Sequence, residues 1–230
     1  MAQVNKYLGI STRVSSNQDR PHPHLRACVL GHFEHPWREP LHQPSVRAFA
    51  QLEQLLHPGE QHGLILDSGC GTGVSTQALA DIHPERIVIG IDRSAARLQR
   101  FLSGSLATRQ GNCIWVRARL ETIWRLALGA GWGVLKNYLL YPNPRPKSDQ
   151  FKKRWHAHPV FPVILALSGS IELRTNWRIY AEEFASAVQW SGGARPEVEL
   201  LSAVSSITPF ERKYAASGHD LYRVCTGRRT

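Results

Sequence analysis

The sequence predicts an α/β protein, a doubly wound, mostly parallel sheet with helices on both faces. Three observations carry this. From about residue 45 onward, short apolar runs alternate with helix-length segments, the order that builds parallel strands joined by crossover helices. Leu64–Gly73, reading Leu-Ile-Leu-Asp-Ser-Gly-Cys-Gly-Thr-Gly, is a continuous apolar run that enters a glycine-rich turn. That pattern reads as a buried parallel strand feeding a helix. Finally, this strand and the next, Arg86–Ile91, end in carboxylates, Asp67 and Asp92, at the edge where open α/β sheets bind ligands.

Taken in order, residues 1–45 are polar and broken by Pro21, Pro23, Pro36, Pro40 and Pro44, with His22, His24, His32, His35 and His42 among them. No helical period emerges, so a partly ordered Pro/His-rich arm is expected ahead of a single domain at 46–230. Val46, Phe49, Leu52, Leu55 and Leu56 recur at helical spacing, with Ser45 as N-cap and Pro58-Gly59 as a stop. A helix from Gly73 to about Ala80 follows the glycine turn, and Pro84 separates it from the second strand. Ser94 should cap a helix to Leu102; Cys113–Val116 is a strand and Leu120–Leu128 a helix. Val134–Tyr141 is apolar enough to be a central strand. Val160–Leu167 reads as helix, Ser170–Arg174 as strand and Arg178–Trp190 as helix, with Tyr180, Phe184 and Val188 on one face. Glu197–Val204 and Leu221–Cys225 are the last strand candidates.

Composition narrows the classes. The chain has 230 residues, 28 Lys and Arg against 18 Asp and Glu, and a formal charge of +10, a balance that favours polyanionic partners, nucleic acid above all. No apolar run approaches the ~18 residues of a membrane span. The opening Met1–Lys6 lacks the apolar stretch of a secretory signal. Cys28, Cys70, Cys113 and Cys225 lie far apart, without C-x-x-C spacing, so neither a disulfide framework nor a metal site is expected and a reducing cytoplasm fits.

The glycine turn specifies its ligand by what it lacks. Gly69, Gly71 and Gly73 do not complete a dinucleotide fingerprint, and no G-K-[ST] follows, so a phosphate loop is excluded. Asp67 would repel a pyrophosphate but suits an ammonium group. Asp92, about twenty positions on, occupies the place of a ribose-binding acid. An ammonium partner plus a ribose partner without a phosphate site describes S-adenosyl-L-methionine. The stretch resembles the first motif of the class I methyltransferases.

A second constellation follows the central strand. Tyr141-Pro-Asn-Pro-Arg-Pro-Lys147 is a stiff turn whose three prolines hold Asn143 in place. From Asn143 to His158, Arg145, Lys147, Lys152, Lys153 and Arg154 face the single acid Asp149, with Phe151 and Trp155 interleaved. This basic loop, residues 145–154, is expected to hold RNA phosphates and stack bases.

Here the resemblance becomes specific. Tyr141–Lys147 is similar to the F-P-D-P-W-P-K signature of the bacterial tRNA (guanine-N7) methyltransferases. Leu173-Arg-Thr-Asn-Trp177, then Tyr180-Ala-Glu-Glu-Phe184, resembles their A-T-D-W and Y-A-E; Thr208-Pro-Phe-Glu211, then Gly218-His219, resembles T-K-F-E and G-H. Asp67-Ser-Gly-Cys-Gly-Thr-Gly73 and Gly90-Ile-Asp92 match E-I-G-F-G-x-G and G-I-E. The motifs run in the family's order from about Leu64 to the C-terminus. The chain departs from the family at Asn143 and Asn176, where the family has Asp, at Arg145 in place of Trp, and at Pro209 in place of Lys. A carboxylate accepts from both N1–H and N2–H of guanine, whereas an amide offers one acceptor and two donors.

The resemblance implies a Rossmann-like class I methyltransferase fold and methyl transfer to a nucleobase nitrogen. Guanine N7 carries a free lone pair, so positioning and electrostatics are sufficient and no general base is needed. Asn143 is the expected catalytic, orienting residue. Asp67, Gly69, Gly71, Gly73, Asp92, Arg93, Arg119 and Leu120 are the expected cofactor set. Lys147, Asn176, Thr208 and Glu211 are the expected substrate set. The expected partner is tRNA or another RNA, with no metal, no membrane and no required oligomer. An amino-group or small heteroaromatic acceptor remains open, because Asn143-Pro144 also resembles the N-P-P-aromatic turn of amino-group methyltransferases. So does a non-catalytic cofactor- and RNA-binding paralogue.

Overall fold

The computed structural model describes residues 11–201 and 206–227. Among these residues eight strands form one sheet in the order β3-β4-β2-β1-β5-β6-β8-β7. They are β1 (His62–Ser68), β2 (Val88–Asp92), β3 (Ala107–Gln110), β4 (Cys113–Arg117), β5 (Gly133–Leu140), β6 (Ile171–Thr175), β7 (Val198–Leu200) and β8 (Tyr222–Cys225). The five central strands β4, β2, β1, β5 and β6 are parallel, and β3 and β8 run against their neighbours. The chain moves outward from β1 through β2 to β4, then returns to lay β5 on the other side of β1. The strand order therefore reverses between β1 and β5, where a crevice opens at the carboxyl ends.

Among the described residues eight α-helices cover the sheet: α1 (Leu25–Glu34), α2 (Gln43–Gln54), α3 (Val74–Ile82), α4 (Ala95–Leu102), α5 (Leu120–Gly129), α6 (Phe161–Leu167), α7 (Arg178–Trp190) and α8 (Pro209–Ala216). Strand alternation sorts the core into two layers. Leu64, Leu66, Ile89, Ile91, Ile114 and Val116 pack beneath α1, α2, α5, α6 and α7. Ile65, Val88, Cys113, Trp115 and Tyr138 pack beneath α3 and α4. Full burial of such side chains stabilises the fold by about 1.5–3 kcal/mol each relative to exposure.

Several expectations are corrected. The arm holds a helix, α1, whose Leu25 and Val29 are fully buried in the first layer. Ser45 does not cap α2; His42 takes that position, and Ser45 Oγ accepts from the Arg119 amide at 2.9 Å, tying α2 to the start of α5. Ser94 stands at the N-cap of α4 without a side-chain cap bond. β3 and α8 form where no element was expected, and the basic loop winds into two short 3-10 turns, Ser148–Lys153 and Trp155–Ala157. Of the predicted strand Glu197–Val204, Val198–Leu200 forms, and residues 202–205 lie outside the described residues. No helix among the described residues is long and apolar enough to cross a membrane.

Candidate active site

β1 delivers Asp67 to the crevice almost fully buried. Its Oδ2 accepts from Ser75 Oγ at 2.6 Å and Thr76 Oγ1 at 2.8 Å, both in the first turn of α3. Its Oδ1 is buried with no partner among the described residues. Burial pushes this carboxyl up to about 6, against the two hydroxyl bonds, and the nearby Asp92 adds to the rise. The close seat of α3 depends on Gly90 in β2, where a Cβ would come within 2.2 Å of Thr76 Oγ1.

Asp92 ends β2 directly beside Asp67's strand. Its Oδ2 accepts from the Gly71 amide at 3.1 Å and from Arg97 at 3.4 Å; Oδ1 accepts from the Ser94 amide at 2.8 Å. One carboxylate thus pins the glycine turn and starts α4. The three glycines divide the labour differently from expectation. A Cβ on Gly69 or Gly71 would meet nothing within 4 Å, so both border open space, as a ligand cradle requires. A Cβ on Gly73 would sit 2.5 Å from Trp115 Nε1 and 2.6 Å from Phe101, so Gly73 serves packing. Trp115 and Phe101 stack at 3.9 Å.

Under the turn, Trp124 Nε1 donates to Ser68 Oγ at 3.1 Å, and Ser68 Oγ donates to Asn137 Oδ1 at 2.7 Å. Asn137 in turn donates to Ser168 Oγ at 3.2 Å, so a buried polar chain fastens β1 to β5 at the point of strand reversal.

Across the crevice, Asn143 is exposed on the turn after β5, and its Oδ1 accepts from the Arg145 amide at 3.1 Å. Tyr141 and Arg145 flank it with φ of 50° and 48°, left-handed backbone that a non-glycine residue adopts at a cost of roughly 1 kcal/mol or more. Tyr141 places its hydroxyl, buried and unpartnered among the described residues, near Glu211.

The remaining expected residues divide. Lys147 is exposed, as are Arg93 and Arg119; Leu120 is half-buried at the start of α5. Arg119 follows β4, whose end is held to β2 by a bond from the Ala118 amide to Asp92 O. Asn176, after β6, donates its amide to His219 Nδ1 at 3.1 Å. His219 Nε2 faces the Ser11 carbonyl at 2.9 Å, which makes Nε2 the protonated nitrogen and Nδ1 the acceptor. Thr208 and Glu211 are buried and engaged: Thr208 Oγ1 caps α8 by accepting from the Glu211 amide at 3.0 Å. Glu211 accepts from Arg174 at 2.8 Å and from the Ile207 amide at 3.0 Å. Their observed work is to build α8 against β6.

The basic loop is narrower than expected. Arg154 is fully buried against Glu183, Phe151 is buried under a stack with His22 at 3.8 Å, and Trp155 packs edge-on against Trp124. Lys147, Lys152 and Lys153 are its exposed cations. Sequence reasoning missed Ser75 and Thr76, the donors to Asp67. Two hydroxyls in the first turn after a glycine loop were the available signal. His219, marked in the sequence only through the Gly218-His219 match, sets the orientation of Asn176.

A family model described as "Putative methyltransferase" matches residues 61–224, from the start of β1 into β8. The chain belongs to this methyltransferase family. It is similar to the tRNA (guanine-N(7)-)-methyltransferase of Leifsonia xyli, 26% identical over 169 residues, covering 68% of this chain and 72% of that one. It is also similar to the enzyme of that name from Cytophaga hutchinsonii, 28% identical over 152 residues, covering 62% and 67%. Among solved structures, 16S rRNA methyltransferase KamB superposes with a TM-score of 0.55 at 17% identity, covering 79% of this chain and 94% of that one. A variant of the 16S rRNA (adenine(1408)-N(1))-methyltransferase of Catenulisporales acidiphilia, solved with cosubstrate SAM, superposes at 0.50 and 15% identity, covering 82% and 91%. These likenesses establish the class I methyltransferase fold for this member of the family.

Proposed function

We propose that the chain transfers a methyl group from S-adenosyl-L-methionine to a nucleobase nitrogen of RNA, with guanine N7 of tRNA the favoured acceptor. The observation that carries this is the pairing of Asp67 and Asp92 on adjacent strand ends around a glycine turn bordered by open space. The relatives named as tRNA (guanine-N(7)-)-methyltransferases support the acceptor.

The cofactor fits the residues present. The unpartnered Asp67 Oδ1 supplies an acceptor for an ammonium, and Asp92 stands where ribose hydroxyls can reach a carboxylate. Gly69 and Gly71 leave room for close approach, and Arg93, Arg119 and Leu120 border the same strand ends. When bound, the cofactor supplies an electrophilic methyl on a sulfonium sulfur.

The chain's own part is to place the acceptor. Asn143 orients the base edge from a turn that its own Oδ1 helps to close. Asn176, its NH2 committed to His219, keeps its amide oxygen as the acceptor. Lys147, Lys152 and Lys153 hold phosphates. N7 has no proton to lose, so the absence of a base at position 143 suits the chemistry. An RNA acceptor of this kind puts the activity in the cytoplasm.

The test is methyl transfer from labelled cofactor to bulk tRNA, followed by nucleoside analysis. N7-methylguanosine is the expected product. Label in an amino-methylated base, or cofactor binding with no RNA product, would overturn the N7 reading in favour of an amino-group enzyme or a binding protein.

A further inference from the structure

We propose that Arg154 and Glu183, buried beneath the basic loop, are positioning residues that hold the Asn143 turn in its reactive shape. This rests on the proposed role of that turn in acceptor placement.

Arg154 joins the two 3-10 turns and is fully buried. Its Nε and Nη2 donate to the Arg145 carbonyl at 3.2 and 3.0 Å. Nη1 donates to Glu183 Oε2 at 2.5 Å, Nη2 also donates to Gln18 Oε1 at 3.0 Å, and the guanidinium lies 4.7 Å over the Trp177 ring. Four of the five N–H groups of the fork are thereby engaged, in a planar arrangement that a lysine ammonium could not reproduce.

Glu183 is gripped as completely. Its Oε2 also meets His156 Nε2 at 2.9 Å, and its Oε1 accepts from Gln18 Nε2 at 2.7 Å and the His22 amide at 2.8 Å. Burial alone would raise this carboxyl, yet His156 and Arg154 hold it well below the usual range.

The pair acts on one point of the turn. Arg145 has φ 48°, and left-handed residues persist only where their surroundings over-determine them. Two guanidinium bonds to its carbonyl supply that constraint, and Ser16 Oγ adds a bond to the next carbonyl, Pro146 O, at 2.7 Å. A buried ion pair is often no more stabilising than apolar packing of equal volume. Its distinctive yield here is geometry. Asn143 sits between Tyr141 and Arg145, so a shift in Arg145 is transmitted directly to the orienting amide.

The test compares Arg154→Lys with Arg109→Lys in the full chain. Arg109 makes a bidentate pair with Glu60 at 2.6 and 2.8 Å and bonds Leu55 O, on the antiparallel edge of the sheet, so it is a structural control. Arg154→Lys should lower kcat for RNA by about 10- to 100-fold, the scale of a sub-ångström to 1 Å misplacement, with cofactor affinity within about twofold. Both variants should lower thermal stability, and Arg109→Lys should do so with kcat unchanged.

Independently of activity, hydrogen exchange at the Arg145 and Gln150 amides, bonded to Asn143 Oδ1 and Lys147 O, should quicken by about 10-fold in Arg154→Lys alone, as expected for a locally released segment. Should Arg154→Lys not fold, Gln18→Ala, at a half-exposed position, should show the same pattern at smaller amplitude. Unchanged exchange in the turn, or activity that merely tracks stability in both variants, overturns the proposal. A wild-type chain that methylates no RNA overturns the acceptor reading instead, and the exchange measurement still decides whether the pair holds the turn.

Discussion

Ser75 Oγ donates to Asp67 Oδ2 at 2.6 Å, while Oδ1 of the same carboxylate is buried without a partner among the described residues. The half-satisfied acid sits at about 6 against an ordinary 3.8, because burial disfavours its charge. In the folded protein it holds its proton over a pH range where the unfolded chain has lost it. The stabilising contribution is therefore complete below about pH 4 and is lost as pH rises through about 6. The difference is on the order of 3 kcal/mol. An ammonium ligand favours the ionised form, so S-adenosyl-L-methionine should release close to one proton from this site when it binds near pH 5. The release should fade above pH 7. Calorimetry in two buffers of different ionisation enthalpy reads this directly, and Asp67→Asn should abolish it while keeping the Ser75 and Thr76 contacts.

Gly71 and Gly73 should fail in different ways. Gly73→Ala forces a methyl into the Trp115–Phe101 stack at 2.5–2.6 Å with φ at 75°, so unfolding free energy should fall by about 2–4 kcal/mol. Gly71→Ala faces open space at φ 58° and should cost only about 1 kcal/mol of stability. Its damage should show in cofactor affinity, by about 10-fold or more, since the methyl enters the cradle. Denaturant melts and calorimetry on both variants separate the two effects.

Asn143→Asp keeps an oxygen in place for the Arg145 amide, so the turn should survive. With guanine as acceptor, guanine methylation should be preserved or rise, since the carboxylate takes both edge N–H groups. Asn143→Ala should lose about 10- to 100-fold in kcat/KM. A pH–rate profile should show no acid limb assignable to position 143 in the native chain. An inactive Asp variant with normal fold and cofactor affinity would sink the guanine assignment.

Lys152 and Lys153 are exposed whereas Arg154 is not. The Lys152→Ala, Lys153→Ala double variant should therefore flatten the salt dependence of RNA binding by up to about two units of log–log slope. Arg154→Lys should leave that slope unchanged. Filter binding across a salt series checks both.

The parallel sheet, and the two acids at adjacent strand ends around the glycine turn, were legible because they rest on local signals: continuous apolar runs, strand-end acids and closely spaced glycines. What stayed hidden was decided by distant contacts. Arg154 is indistinguishable in sequence from Lys152 and Lys153, and only Glu183, far along the chain, draws it inside. The helix at Leu25–Glu34 buries just Leu25 and Val29, too few positions for a periodic signal among prolines and histidines. The strand Ala107–Gln110 is a short edge whose antiparallel pairing with Cys113–Arg117 depends on a tight turn at Gly111. Thr208 and Glu211 read as substrate residues through resemblance, yet Thr208-Pro-Phe-Glu211 is also a helix-start pattern, and the structure uses it as one.

The bond from Trp124 to Ser68 has a practical consequence. Its indole N–H is spent on a hydroxyl directly beneath the glycine turn, one residue beyond Asp67. Indole emission depends on the field along the ring, and a cationic sulfonium and a changed Asp67 charge would both alter that field. Trp124 emission should therefore shift as the site loads, readable without label or radioactivity, and because the chain holds 7 tryptophans the difference from a Trp124→Phe chain isolates its share.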